Sequence, residues 1–174
     1  MSSQEHKQIQ EHPPQQILVI SDSHGNSEPV RLLLDRYNGK LKTVVHLGDN
    51  ARDLLQLQTK YPALNLVAVA GNCDYGHEVP KELVLTLGPK AILLMHGHTH
   101  NVKMNYQRLM YYAQEKEVNA CLFGHSHFPA VFSHESVFFM NPGSVSLPRG
   151  GSKASYGLLS IDSQGDITGE VIEL

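Results

Sequence analysis

Five short polar clusters carry the atoms that could do chemistry in this 174-residue chain: Asp22 with His24, Asp49 with Asn50, Asn72 with Asp74, His96 with His98, and His125 with His127. Imidazole nitrogens and carboxylate oxygens in this combination suit Mn, Fe, Zn, Co or Ni, and the absence of a thiolate from the set argues against a structural zinc–cysteine site. Residues i and i+2 of an extended or tightly turned segment can face the same side, so Asp22/His24 and His125/His127 can each present two donors to one place. Gly48, Gly71, Gly97 and Gly124 stand beside the clusters, where a backbone without Cβ can approach closely. Each residue has a plainer explanation by itself; Asp22, for instance, could simply cap a turn. The plain explanation has to cover Asp22, His24, Asp49, Asn72, His96, His125 and His127 together.

Something must position them, and apolar runs precede every cluster. Gln16–Ser21, Thr43–Leu47 and Asn65–Ala70 read as buried strands, with helical spacing over Pro29–Tyr37 and near Arg52–Lys60 between them, a βαβ alternation. Leu83–Leu87 and Ala91–Met95 flank Gly88-Pro89 and read as a hairpin. A helix near Asn105–Lys116 leads to a short strand at Ala120–Phe123. Further strands are expected at Ala130–Ser133, Ser136–Met140, Tyr156–Ile161 and Ile167–Ile172. Two sheets packed together, with helices outside, accommodate both halves. The clusters then sit at the carboxyl ends of strands, the edge where open α/β sheets gather their sites.

The length suits one domain, taken as residues 16–174 after a polar, flexible leader at residues 1–15 that contains Pro13-Pro14. That leader lacks the apolar core of a signal peptide, no run reaches membrane-spanning length, and Cys73 and Cys121 make no disulfide framework, which together point to the cytoplasm. A formal charge of -3 with scattered Lys and Arg gives no basic footprint, so nucleic acid is not the expected partner. Of the other histidines, His46 reads as a core or supporting residue; His77, His100 and His134 read as surface or rim.

Taken in order, Ser-Asp-Ser-His-Gly (21–25), Leu-Gly-Asp-Asn (47–50), Gly-Asn-Cys-Asp (71–74), His-Gly-His (96–98), Gly-His-Ser-His (124–127) and Asn-Pro-Gly-Ser (141–144) resemble the calcineurin-like metallophosphoesterases, most closely their small YfcE-like branch. The resemblance runs from about Ile17 to the last strand. It implies an α/β fold in four layers, αββα, a two-sheet sandwich flanked by helices on both outer faces. It also implies two divalent metal ions, manganese foremost with Zn, Ni, Fe or Co as alternatives. Asp22, His24 and His127 would hold one ion, Asn72, His96 and His125 the other, and Asp49 would bridge them.

The implied reaction is phosphate-ester hydrolysis, a phosphodiester first, by a hydroxide bridging ions about 3.5–4 Å apart. Two divalent ions against two carboxylates and one hydroxide leave a single net positive charge, enough to draw a phosphodiester without a basic patch. Much of the wider superfamily has His after Gly-Asn, where this chain has Cys73, as the YfcE-like branch commonly does. A thiol is a poor donor to an oxyanion, so the general acid is expected to be His98. Asp74 is expected to accept a hydrogen bond from a ligating imidazole or from His24, and Asn50 to orient Asp49. Asn72, His98, Ser144 and Arg149 are expected to contact a small-molecule phosphate ester, with Arg149 gripping a phosphate oxygen. The alternative is a non-catalytic, metal-binding interaction scaffold of the same fold, Vps29-like. A homo-oligomer, a dimer in the simplest case, is expected through the exposed hairpin strands.

Overall fold

The computed structural model describes residues 13–76 and 79–174. Most of the expected leader and His77 lie outside the described residues. Among the described residues, ten strands and three α-helices follow one another as β1 (Gln15–Ile20), α1 (Ser27–Tyr37), β2 (Thr43–His46), α2 (Arg52–Leu55), β3 (Asn65–Ala68), β4 (Glu82–Leu87), β5 (Lys90–Met95), α3 (Gln107–Glu115), β6 (Ala120–Leu122), β7 (Ala130–His134), β8 (Val137–Asn141), β9 (Ser155–Ile161) and β10 (Ile167–Glu173).

One sheet has the order β10-β9-β1-β2-β3 and the other β4-β5-β6-β8-β7. Each has three parallel strands, β1, β2 and β3 or β5, β6 and β8, extended by antiparallel neighbours. The period-2 alternation of side chains divides the apolar residues among three layers. Ile17 and Val19 of β1, Ile92 and Leu94 of β5, and Ala120 and Leu122 of β6 meet between the sheets. Leu18 and Ile20 face the other way, onto Val30, Leu33 and Leu34 of α1 and Leu54 of α2. Leu93, Met95, Cys121 and Phe123 face outward onto Leu109 and Ala113 of α3. Burying a side chain of this size contributes about 1.5–3 kcal/mol. The result is the expected αββα sandwich.

Local chemistry explains the helix limits. Asn26 caps α1 by accepting from the Glu28 amide at 3.4 Å, and Pro29 falls in the first turn, where a missing N–H costs nothing. The helix expected near Arg52–Lys60 stops at Leu55. Beyond it Leu57, Gln58 and Lys60 donate three residues back, and Gln58 Nε2 bonds the carbonyls of Tyr61 and Leu64, a side-chain alternative that competes with helix continuation. After β5 the chain closes into a 3₁₀ turn, His98–His100, entered through Gly97 at φ 97°.

A candidate two-ion metal centre

Two sets of parallel strands end at the same edge, and the hydrogen bonding of each set continues past the strand ends. Asp22 donates its amide to the Gly48 carbonyl at 3.1 Å and His24 to that of Asp49 at 3.2 Å, while Gly124 donates to the His96 carbonyl at 3.0 Å. The loops after β1 and β2, and those after β5 and β6, are thereby held side by side. Asp22, His24, Asp49, Asn50, His125 and His127 all adopt positive φ, between 49° and 74°. Left-handed backbone at non-glycine residues carries strain that clusters at functional sites. A Cβ on Gly71 would run into the amide and carboxylate of Asp49, and one on Gly124 into Ser21 Oγ and, at 2.8 Å, Asp22 Oδ2. Both glycines are what lets the loops close this tightly.

Ligand-type atoms of Asp22, His24, Asp49 and His127 all lie within 4.8 Å of one another, as do those of Asp49, His96 and His125. Asp49 belongs to both groups. His127 donates Nδ1–H to the Leu147 carbonyl at 2.6 Å and His96 donates Nδ1–H to that of Leu47 at 2.8 Å. Their Nε2 lone pairs therefore point inward: His127 Nε2 is 3.2 Å from Asp22 Oδ1 and 3.1 Å from His24 Nε2, and His96 Nε2 is 3.3 Å from Asp49 Oδ1 and 3.2 Å from His125 Nδ1. Among the described residues Asp22 Oδ1 is buried without a hydrogen-bond partner, despite the nearby imidazole, because the proton of the neutral ring is on its far side. Lone pairs facing lone pairs at these distances repel unless a proton or a metal cation lies among them. The donor set thus fits divalent ions, in two groups that share Asp49 and do not include Asn72.

The electrostatics say the same. Burial opposes the charge on Asp22, but the hydrogen bond that a protonated His127 would donate, the charge on His96 and the Ser21 hydroxyl outweigh it and hold the carboxyl below its usual range. Asp49 is also pushed down, with His96 and the Cys73 amide overcoming burial. The Asp22 hydrogen bond raises His127, while for His96 burial is outweighed by Asp49 and Asp22. This pocket attracts positive charge.

The remaining expected residues fall out differently. Asn72 is exposed at the end of the β3 loop, its amide nitrogen 3.4 Å from Cys73 Sγ, and the Cys73 backbone donates to Asp49 Oδ1 at 2.8 Å. Among the described residues Asp74 does not accept from an imidazole: Oδ1 takes the Ala51 amide at 2.9 Å and Oδ2 the Gly71 amide at 2.8 Å, so it ties the loop after Asp49 to the loop after β3. The Asn50 side chain makes no hydrogen bond to Asp49 among the described residues; its backbone carbonyl accepts from Asp53 at 2.9 Å. Ser144 does not line a cleft. It is fully buried, donating to the Asp22 carbonyl at 2.7 Å and accepting from the Ser146 and Leu147 amides, so its hydroxyl has no bond left for substrate. His98 lies with its ring centroid 5.4 Å from that of His96, and its Nδ1 is buried without a partner among the described residues. Arg149 is exposed, with its amide 3.2 Å from the His127 carbonyl and its charge acting on His127.

Four supporting residues had no role in the sequence reading. Ser21 Oγ donates to Asp22 Oδ2 at 2.6 Å, and Asn141 Nδ2 donates to the Gly124 carbonyl at 2.8 Å and Ser126 Oγ at 3.0 Å, shaping the His125–His127 loop. Ser23 and Asp53 bond to each other beneath the first two loops. Ser21, Ser23 and Asn141 stood inside the quoted motifs; Asp53 gave no signal.

Residues 16–164 match the calcineurin-like phosphoesterase superfamily domain. A probable metallophosphoesterase, YsnB of Bacillus subtilis, is 36% identical over 148 residues, covering 84% of this chain and 85% of that protein. Phosphodiesterase YfcE of Escherichia coli is 34% identical over 109 residues, 58% of this chain and 55% of that protein. Among solved structures, a predicted phosphoesterase from Streptococcus pneumoniae superposes with TM-score 0.77 at 34% identity, over 92% of this chain and 99% of that one. Wild-type Vps29 of Entamoeba histolytica, complexed with Zn2+, shares the fold with TM-score 0.71 at 24% identity, over 90% of this chain and 98% of that one. The edge that gathers these carboxylates and imidazoles is therefore that of a chain belonging to the calcineurin-like phosphoesterase superfamily.

Proposed function

We propose that the chain is a phosphodiesterase that works with two divalent ions, Mn2+ foremost. The observation that carries this reading is the pair of ligand groups that share Asp49. Asp22, His24 and His127 would hold one ion, His96, His125 and Asn72 the other, with Asp49 between them. When bound, such ions supply Lewis acidity toward phosphoryl oxygens and lower the pKa of water.

The protein's own part is to bind and to orient. Inward-facing Nε2 atoms, fixed by the Leu47 and Leu147 carbonyls, keep the ligand set in shape before any ion arrives. Arg149, exposed beside His127, takes a non-bridging oxygen of the ester, and its fork suits two such contacts. His98 stands beyond His96 and delivers a proton to the departing oxygen. The phosphodiester preference follows the relative YfcE, and the unpaired Cys73 and Cys121 favour the cytoplasm. Self-association uses the β4 edge, where Leu83 and Val84 are 36% and 46% exposed.

The second reading, a metal-binding scaffold without activity, draws on the fold shared with Vps29. One assay separates the two. Purified protein with Mn2+ should hydrolyse bis-p-nitrophenyl phosphate and lose that activity on chelation. An inert wild-type chain that nevertheless binds Mn2+ would decide for the scaffold.

A further inference from the structure

A buried hydrogen-bonded chain lies beneath the centre and contributes none of the proposed ligand atoms. His46, at the end of β2 and fully buried, accepts the Gly48 amide on Nδ1 at 3.2 Å, so its proton is on Nε2 and is donated to Ser23 Oγ at 3.0 Å. Ser23 has one proton to give, and the shortest acceptor is Asp53 Oδ2 at 2.7 Å. The same oxygen takes the Gly25 amide at 2.9 Å, and the Asp53 amide returns to the Asn50 carbonyl at 2.9 Å. His46 is thereby excluded as a metal ligand, since one nitrogen carries a proton and the lone pair of the other is engaged.

The ends of this chain are informative. Gly48, bonded to His46, turns the backbone at φ 98° into Asp49. Ser23 stands between Asp22 and His24, and Gly25 follows His24. Three side chains from β2, the β1 loop and α2 therefore fix the loop carrying Asp22 and His24 against the loop carrying Asp49. A rigid ring with an acceptor on one edge and a donor on the other meets both demands at position 46.

We infer that His46, Ser23 and Asp53 are positioning residues, a relay that sets the spacing of Asp22 and His24 from the shared ligand Asp49 and so governs ion affinity. This rests on the metal-centre reading above. The test is isothermal titration of the ion-free full chain with Mn2+, alongside its melting temperature. Ser23→Ala and Asp53→Asn should each weaken Mn2+ binding by about 10- to 100-fold, the range for groups that orient ligands. Asp53→Asn keeps the side-chain volume and one acceptor oxygen, and it carries the test should Ser23→Ala fail to fold. Val44→Ala, a truncation on the helix-facing side of β2, supplies the control: a lower melting temperature with Mn2+ affinity unchanged. Variants that bind Mn2+ as the wild type does would overturn the relay alone. A wild-type chain that binds no divalent ion would overturn the metal centre, and the relay with it.

Discussion

The two halves of the centre are built to different standards. On one side Asp22 and His127 have side chains only 0% and 4% exposed, and each is braced: Asp22 by the Ser21 hydroxyl and the His125 amide, His127 by the Leu147 carbonyl. On the other side His96 is equally buried and braced by Leu47, but His125 is half-buried and Asn72 is exposed, with its amide turned to Cys73. Two of the three ligands at the first position, Asp22 and His127, are braced in advance, against one of three, His96, at the second. Preorganised ligands lose less freedom on binding, so the Asp22/His24/His127 position should fill first.

The sharpest way to break this comparison is at the residue common to both halves. Asp49→Ala should cut bis-p-nitrophenyl phosphate hydrolysis by at least about 10³-fold and abolish the two-step Mn2+ titration, because it removes charge stabilisation from both positions. Next comes the asymmetry itself. His127→Ala should weaken the tighter Mn2+ step by about 10²-fold, whereas Asn72→Ala should leave that step intact and weaken only the looser one. Equal effects on both steps would show that the halves are equivalent after all.

His98→Ala should then slow esters with poor, alkyl leaving groups by about 10²-fold while hardly affecting nitrophenyl esters, the mark of a lost proton donor. Smaller still, Arg149→Ala should raise KM by about tenfold with kcat little changed, and Arg149→Lys should restore only part, since an ammonium cannot form the paired contact.

A separate prediction concerns stability rather than rate. Burial pushes His46 down to about 4 from 6.5, the largest influence on it. A histidine that resists protonation in the folded state binds fewer protons there than in the unfolded chain, so its contribution is whole above pH 6.5 and is lost as pH falls toward 4. The full loss is about 3 kcal/mol. Since other groups titrate in the same interval, the comparison is between ion-free wild type and His46→Gln. The wild type should lose melting temperature faster over that interval.

How much of this was legible beforehand depended on what each residue does. Strands were readable because buried β residues are apolar and β-branched, and the limits of β1, β2, β5 and β9 moved by only a residue or two. The clusters at strand ends were readable because they interrupt such runs. Asp74 and Ser144 were misassigned for a common reason: both stand in the quoted motifs, yet their atoms bond backbone, and a sequence does not say which backbone group a carboxylate or hydroxyl will meet. Asp53 was invisible because it lies in a short helix among ordinary polar residues, and its partner Ser23 is 30 positions away. Contacts of that separation are set by the docking of β1 on β2, not by any local pattern.

That three parallel strands of each sheet end at one shared rim has a last consequence. Asp22, His24, Asp49 and Asn72 ride on one sheet, and His96, His125 and His127 on the other, with Ile17, Val19, Ile92 and Leu94 sealed between. Neither sheet alone owns a full coordination set. On the proposed reading, assembly of the ligand set and closure of the sandwich would be one event, so cation uptake would double as a gauge of correct folding: a misdocked chain would be left empty-handed, while a loaded one would be clamped shut by mass action.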